Sequence, residues 1–403
     1  MRRIIILLLL TLPAFSVTGT AQAQMGQLSD EAVVSMITIL PGEMVEELFG
    51  HSAIRVMDPE TNIDYFFNYG TFQFDQYFLP KFIYGDLNYF LSVVRTLPAL
   101  EYYRERQRPI FEQVLNFTPD QNREVYEFLR LNAREENRYY QYDFLFDNCS
   151  TRIRDALEVV LGDEVRFVPE PDPGLTFRQM IDLYVDHRPG INFGIDLLLG
   201  SRIDRVATPY EAMFLPDFLM DAFDHATIIV DGKEQPLVAS TITLLEIEGY
   251  KTDNSLPWAA VLTWLLFVAG VVITVKNIKC KEAAERWFDI PLFAVTGLIG
   301  LLITFLWFIS LHKVTVSNLN LFWAWPVHLF ILPVIYRGSF QMKAFRIYFG
   351  VFAFACLSLL FGWMFWAQSL HSAIIPVLLL LTIRSGWLAL NKAETHERNS
   401  VAM

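Results

Sequence analysis

The stretch Asp147-Asn148-Cys149-Ser150-Thr151-Arg152 opens a helix expected over Thr151–Leu161, which Gly162 ends. Cys149 then stands at a helix N-terminus. Free backbone N–H groups and the positive end of the dipole favour a thiolate there and can lower the thiol pKa. The same N–H groups can serve as an oxyanion hole. Working outward, Tyr140–Phe144 is short and aromatic. Thr118-Pro119-Asp120-Gln121 starts an earlier helix, running to about Glu136, with Pro at its first position and a capping-box Gln. Ser52–Met57, Ile63–Asn68 and Thr71–Phe78 read as successive strands, continued by Asn88–Arg95 and Pro109–Phe117, from their alternation and their β-branched and aromatic content. Downstream, helices are expected over Thr176–His187 and Tyr210–Phe223. Thr227–Val230 and Gln235–Leu245 flank the hairpin signal Asp231-Gly232. Residues 24–250 therefore read as one mixed α+β domain.

The composition is uneven along the chain. Of 403 residues 53% are hydrophobic and 19% charged, against about 25% charged in ordinary globular domains. Disorder, collagen and small disulfide scaffolds are excluded, and a net charge of -12 speaks against a nucleic-acid partner. Between Gln24 and Pro257 stand 19 basic and 39 acidic residues, a balance of -20; the rest carries 13 and 5, or +8. Five apolar segments account for the second block: Trp258–Val275, Ile290–Leu311, Leu319–Ile335, Phe345–Trp366 and Ala373–Leu390. Each is near the ~20 residues that span a bilayer. Met1-Arg2-Arg3, the apolar run Ile4–Leu12 and Ala21-Gln22-Ala23 read as a signal peptide over residues 1–23. Lys276, Lys279, Lys281 and Arg286 follow the first span, Arg337, Lys343 and Arg346 the third, and Arg384, Lys392 and Arg398 end the fifth. The positive-inside rule then puts residues 24–250 in the periplasm, a five-helix domain at 251–392 in the inner membrane, and a cytoplasmic tail at 393–403.

Of 3 cysteines, Cys280 falls in a cytoplasmic loop and Cys356 within the fourth span. Cys149 alone lies outside, in an oxidising compartment and without a disulfide partner. Such a thiol is either buried filler or a working group, and the helix start favours the second. A thiolate nucleophile needs a base, usually His. The external domain offers His51, His187 and His225. His51 opens the strand Gly50-His51-Ser52-Ala53-Ile54-Arg55-Val56 and is held rigidly; the other two lie near helix ends. The plain alternative is a buried thiol and a satisfied core histidine. No cofactor is implied, and no His/Asp/Glu cluster has the spacing of metal ligands.

Four segments carry a resemblance: Glu47-Leu48-Phe49-Gly50-His51-Ser52-Ala53-Ile54-Arg55, Phe67-Asn68-Tyr69-Gly70-Thr71-Phe72, Tyr142-Asp143-Phe144, and the opening stretch at Cys149. In this order, followed by apolar spans, they resemble the Lnb family of bacterial lipoprotein N-acyltransferases over nearly the whole mature chain. The resemblance implies a permuted papain-like thiol domain, as in lecithin:retinol acyltransferase, with His before Cys in sequence. It implies Cys149 as nucleophile and His51 as base, a membrane phospholipid as acyl donor, and a diacylated lipoprotein as acceptor. A third polar residue normally orients the His from the neighbouring strand. Asn68 and Asp64 are the candidates, sharing one face of Ile63–Asn68. Asn148 and Tyr69 could line the pocket. Arg152 could meet a phosphate, or pair with a surface carboxylate.

Five spans exceed what an anchor requires and point to a substrate held in the bilayer. The loop before the third span carries His312, Asn318 and Asn320, followed by His328. Polar groups at that depth are costly and often functional, so a lipid-headgroup role is expected for them. Arg384 reads as a charge that snorkels to the cytoplasmic face. Two other readings remain: a membrane-tethered cysteine amidase or peptidase acting on peptidoglycan, and a transporter or sensor, which would need paired charges within the spans.

Overall fold

The computed structural model describes residues 26–167, 174–250, 256–280, 285–337 and 342–390. The expected signal peptide and cytoplasmic tail lie outside these residues. The strands are β1 (Val33–Ile39), β2 (His51–Asp58), β3 (Ile63–Thr71), β4 (Asn88–Arg95), β5 (Ile110–Leu115), β6 (Tyr139–Gln141), β7 (Val165–Arg166), β8 (Thr227–Val230), β9 (Lys233–Pro236) and β10 (Val238–Leu245). Among the described residues seven form one sheet, in the order β10-β5-β1-β2-β3-β4-β6, with every neighbouring pair antiparallel. The helices of this domain are α1 (Phe78–Tyr84), α2 (Thr96–Glu105), α3 (Pro119–Asn132), α4 (Cys149–Leu161), α5 (Phe177–Val185), α6 (Pro189–Leu198), α7 (Pro209–Ala212) and α8 (Pro216–His225).

Alternation splits the sheet between two cores. Ile54, Val56, Phe67 and Tyr69 face α3 and α4 in the larger core. Ala53 and Phe66 face α2 in a smaller one, with Ala99 and Tyr103. Strand β1 was not expected from the sequence, although it sits in the middle of the sheet. Its run of buried residues on both faces hides the period-2 signal. Three expected elements are corrected. Thr71–Phe78 is not a strand: β3 runs through a register shift between Asn68 and Thr71, Gly70 takes φ +84°, and a loop leads to α1. Gln235–Leu245 is split at the fully buried Leu237, so that β9 and β10 join different sheets. The helix expected over Tyr210–Phe223 breaks before Pro216, which starts α8 because it has no N–H to continue α7.

The C-terminal region is all helical: α9 (Trp258–Cys280), α10 (Arg286–Phe308), α11 (His328–Arg337), α12 (Lys343–Phe361) and α13 (Ile374–Leu390). Among the described residues α9, α10 and α12 are long and apolar enough to cross a membrane; α11 and α13 are shorter. The third apolar segment is therefore not one continuous helix. Within it the α-helix covers only its C-terminal part, as the start of the 10-residue α11, and a 3-10 turn at Leu319–Phe322 precedes this. The intervening backbone is buried against α10: a Cβ on Gly300 would lie 2.0 Å from the Ala324 carbonyl oxygen. Non-helical backbone is tolerated at such depth when protein covers it.

Candidate active site

Asn148 fixes where α4 begins. Its Oδ1 accepts from the backbone N–H groups of Ser150 (2.9 Å) and Thr151 (3.0 Å), and Thr151 Oγ1 accepts from Asn148 N at 2.8 Å. Its Nδ2 donates to the carbonyls of Phe144 and Phe214, both at 2.8 Å. Every polar atom of this amide is engaged, so Asn148 is a cap rather than the pocket lining expected of it. The cap presents Cys149 at the first turn of α4, half-buried.

The sheet brings His51 to the thiol. His51 is the first residue of β2, and its neighbour Ser52 meets Ser150, next to Cys149, through hydroxyl oxygens 3.0 Å apart. This seam between β2 and α4 was not anticipated. The adjacent small polar residues, His51-Ser52 and Cys149-Ser150, were its signal. His51 Nε2 lies 3.3 Å from Asn68 Oδ1, which leaves Nδ1 for the thiol. Burial alone would push the Cys149 thiol up. The His51 ring beside it, with the Ser52 N–H and the Ser150 hydroxyl, outweighs burial and holds it below the usual thiol value. Gly70 closes the site from β3. A Cβ there would lie 3.5 Å from Cys149 Cβ and 3.9 Å from Tyr142 Cε2. Thiol, imidazole and amide thus stand in series, Cys149 against His51 and His51 against Asn68.

Other expected site residues fall elsewhere. Asp64 shares its face with Asn68, as parity requires, but lies four residues along the strand. Its carboxylate binds Arg55 at 2.8 Å and Thr96 Oγ1 at 2.5 Å, far from the imidazole. Tyr69 is 2% exposed and packs edge-to-face on Tyr140, inside the core. Arg152 pairs with Asp147 and lies over the Tyr140 ring at 3.9 Å, so its charge meets a carboxylate of the chain itself. His225 turns back onto its own helix at the Asp221 carbonyl, 2.9 Å away. Among the described residues no group of three His, Cys, Asp or Glu side chains could hold a metal ion.

The loop after α10 holds the two domains together. Asn318 and Asn320 are fully buried. Asn318 Nδ2 donates to Leu197 O (3.0 Å) and Leu198 O (3.1 Å), and Asn320 Nδ2 to Leu197 O at 3.1 Å. Gln368 Nε2 donates to Leu199 O at 3.0 Å. These are carbonyls at the C-terminal end of α6, where a helix leaves its last C=O groups unpaired. The headgroup role expected of Asn318 and Asn320 is thus corrected: their amides are used up in docking the periplasmic domain. His312 Nε2 likewise lies 2.7 Å from the Phe82 carbonyl oxygen. Within the membrane, Arg384 does not snorkel. It is fully buried, forked onto Asp289 at 2.8 and 2.6 Å, and also bonded to Thr274 (2.9 Å) and Asn277 (3.0 Å). The spans do contain a charge pair, as a transporter would need. All three of its nitrogens donate to protein acceptors from α9 and α10, the arrangement of a fixed lock between three helices.

A domain holding a thiol beside an imidazole, docked on a bundle of apolar helices, defines a membrane protein with a large domain outside its spans. A family model described as the Lnb N-terminal periplasmic domain matches residues 21–181, and one described as the Lnb transmembrane domain matches residues 252–395. Together they take in well over half of the chain, which belongs to the Lnb family. Neither curated proteins nor solved structures include a match to it. The stretch between the two matched ranges contains α6, the element that the asparagine clasp holds.

Proposed function

We propose that the protein is a cysteine-dependent acyltransferase of the inner membrane. It moves an acyl chain from a phospholipid to the N-terminal amine of a diacylated lipoprotein, with its C-terminus in the cytoplasm. The observation that carries the reading is the Cys149–His51–Asn68 series on a domain clasped to membrane helices. His51 takes the thiol proton and the thiolate attacks the ester carbonyl. Asn148 already occupies the N–H groups of Ser150 and Thr151 and the Ser52 N–H is turned to the thiol, so the oxyanion relies on the N–H of Cys149. The ester C–O bond breaks, the departing alcohol takes the proton from His51, and a lysophospholipid leaves. The amine of the lipoprotein then attacks the thioester, forming an amide and returning the thiol. Two half-reactions through one covalent intermediate give ping-pong kinetics. Asn68 holds the ring rather than touching substrate.

A peptidoglycan amidase would need only a tether, and the buried clasp between the domains speaks against one. In cells carrying Cys149→Ala as the sole copy, N-terminal mass spectrometry of lipoproteins is expected to find free α-amines. Full triacylation in that strain would refute the proposal.

A further inference from the structure

The site leaves one surface unused. Phe74, Tyr77, Leu79, Phe82, Ile83 and Tyr84 are each 38–62% exposed, and no residue of α1 is buried. Large apolar side chains gathered in this way mark a contact surface. Their position says with what. Tyr84 O accepts from Leu311 N at 2.7 Å, and the Phe82 carbonyl meets His312. Leu311 and His312 follow directly on the outer end of the membrane span α10. The approach is tight: a Cβ on Gly85 would lie 2.9 Å from His312 N. Helix α1 is therefore pinned where the span leaves the bilayer, at the depth where aromatic side chains and short apolar helices settle into the interface. Its one charge, Lys81, reaches back to Asp75 at 3.0 Å.

From α1 a row of rings leads inward. Phe82 stacks on Phe78 (5.8 Å between centroids), Phe78 on Phe72 (5.3 Å), Phe72 on Tyr89 (5.0 Å), and Tyr89 on Tyr142 (4.4 Å). Tyr142 and Cys149 meet at Gly70. The Tyr142 phenol is pushed well up by its burial and by the neighbouring thiolate, so it stays neutral. The row runs from the outer end of α10 to the residues bordering Cys149 at Gly70 and carries no charged side chain.

We propose that α1 and its preceding loop lie in the periplasmic leaflet, and that this row of rings is the track along which a phospholipid acyl chain reaches Cys149. The end point of the track rests on the acyl-donor reading above; the membrane contact does not. A chain passing this way keeps its methylenes against apolar surface instead of water.

The test uses the full chain in vesicles of phosphatidylethanolamine and phosphatidylglycerol that also hold a diacylated lipopeptide with a free α-amine, with a trace of phospholipid bearing a diazirine on its acyl chain. Irradiation should label residues 74–84 in the wild type and in Cys149→Ala. Labelling confined to α9–α13 would overturn the proposal. In Leu79→Glu/Ile83→Glu, both exposed positions, labelling of 74–84 should be lost and phospholipid consumption should fall at least tenfold. Alkylation of Cys149 by iodoacetamide should stay within twofold of wild type, reporting an intact site. Unchanged consumption in that variant would refute the track. Should the wild type consume no phospholipid while 74–84 is labelled, the acyl-donor reading and the track's end point fail together, and the membrane contact stands.

Discussion

Replacing Asn318 with Leu should loosen the grip of the membrane domain on the periplasmic domain without unfolding either. Asn318 donates to Leu197 O and Leu198 O, and its Oδ1 accepts from Asn320 N at 2.9 Å. Leucine removes these three bonds and the longer one from Gln368 Nε2 to Oδ1 at 3.4 Å; Gln368 Nε2 keeps Leu199 O. Leu197 O keeps Asn320 as a donor, but Leu198 O and the Asn320 N–H lose these partners. Two buried polar groups left unpaired cost about 1–3 kcal/mol each. Burial of the leucine offsets up to about a third of that, which leaves about 1–4 kcal/mol. The readout is built in, because Gly200 N donates to Val314 O (2.9 Å) and Ser201 N to Ser317 O (3.2 Å) across the same seam. A loss of about 2 kcal/mol means roughly thirtyfold faster hydrogen exchange at those two amides, at about 1.4 kcal/mol per tenfold. Lys313→Ala is the control: it removes only the exposed bridge to Asp143 at 3.3 Å, worth under about 1 kcal/mol. Gly200→Ala reaches the seam by another route, since its Cβ would stand 1.9 Å from Val316 O, a backbone atom that cannot swing aside. Protection at Ser201 that survives both Asn318→Leu and Gly200→Ala would refute the clasp.

Three further outcomes follow from the electrostatics. The Cys149 thiol is held below its usual value with His51 as the main cause, so iodoacetamide alkylation should stay fast below the ordinary thiol midpoint of about 8.5. In His51→Ala the midpoint of its pH profile should move up; an unmoved profile would remove His51 from the site. Arg384→Leu strands the Asp289 carboxylate in a fully buried site, costing about 3–5 kcal/mol. The double variant Arg384→Met/Asp289→Leu should recover most of this, as thermal unfolding in detergent would report. Asp182 is raised to about 7, first by burial and then by Asp196 and Asp186, against Arg178. Its folded form favours the proton, so it destabilises the domain above the unfolded carboxylate range, most fully above pH 7. Asp182→Asn should therefore raise the melting temperature at pH 8 and change little at pH 4; equal shifts at both would refute the assignment.

Much of the site was legible because its members announce themselves locally. The capping sequence around Asn148 dictates a helix start, and a helix start dictates an environment for Cys149 that needs no tertiary information. His51 was legible as the start of a strand. Asn68 and Asp64 were not separable, because parity puts both on one face and only pairing with β2 says which reaches the ring. The same limit misled the reading of Asn318, Asn320 and Arg384. Polar groups in an apolar stretch signal that something must satisfy them; their spacing does not say whether the partner is a lipid, a substrate or the chain itself.

The amino-acid order by itself determined the division into an acidic external domain and an apolar bundle, the isolation of Cys149, and the helix that presents it. These follow from composition, charge and short-range capping, which act over a few residues. The tertiary structure alone decided that Asn68 rather than Asp64 meets His51, that Asn318 and Asn320 hold α6, and that α1 lies against the outer end of α10. Each of these joins residues distant in sequence, and the deciding energy is the cost of leaving a buried donor, carbonyl or charge without a partner.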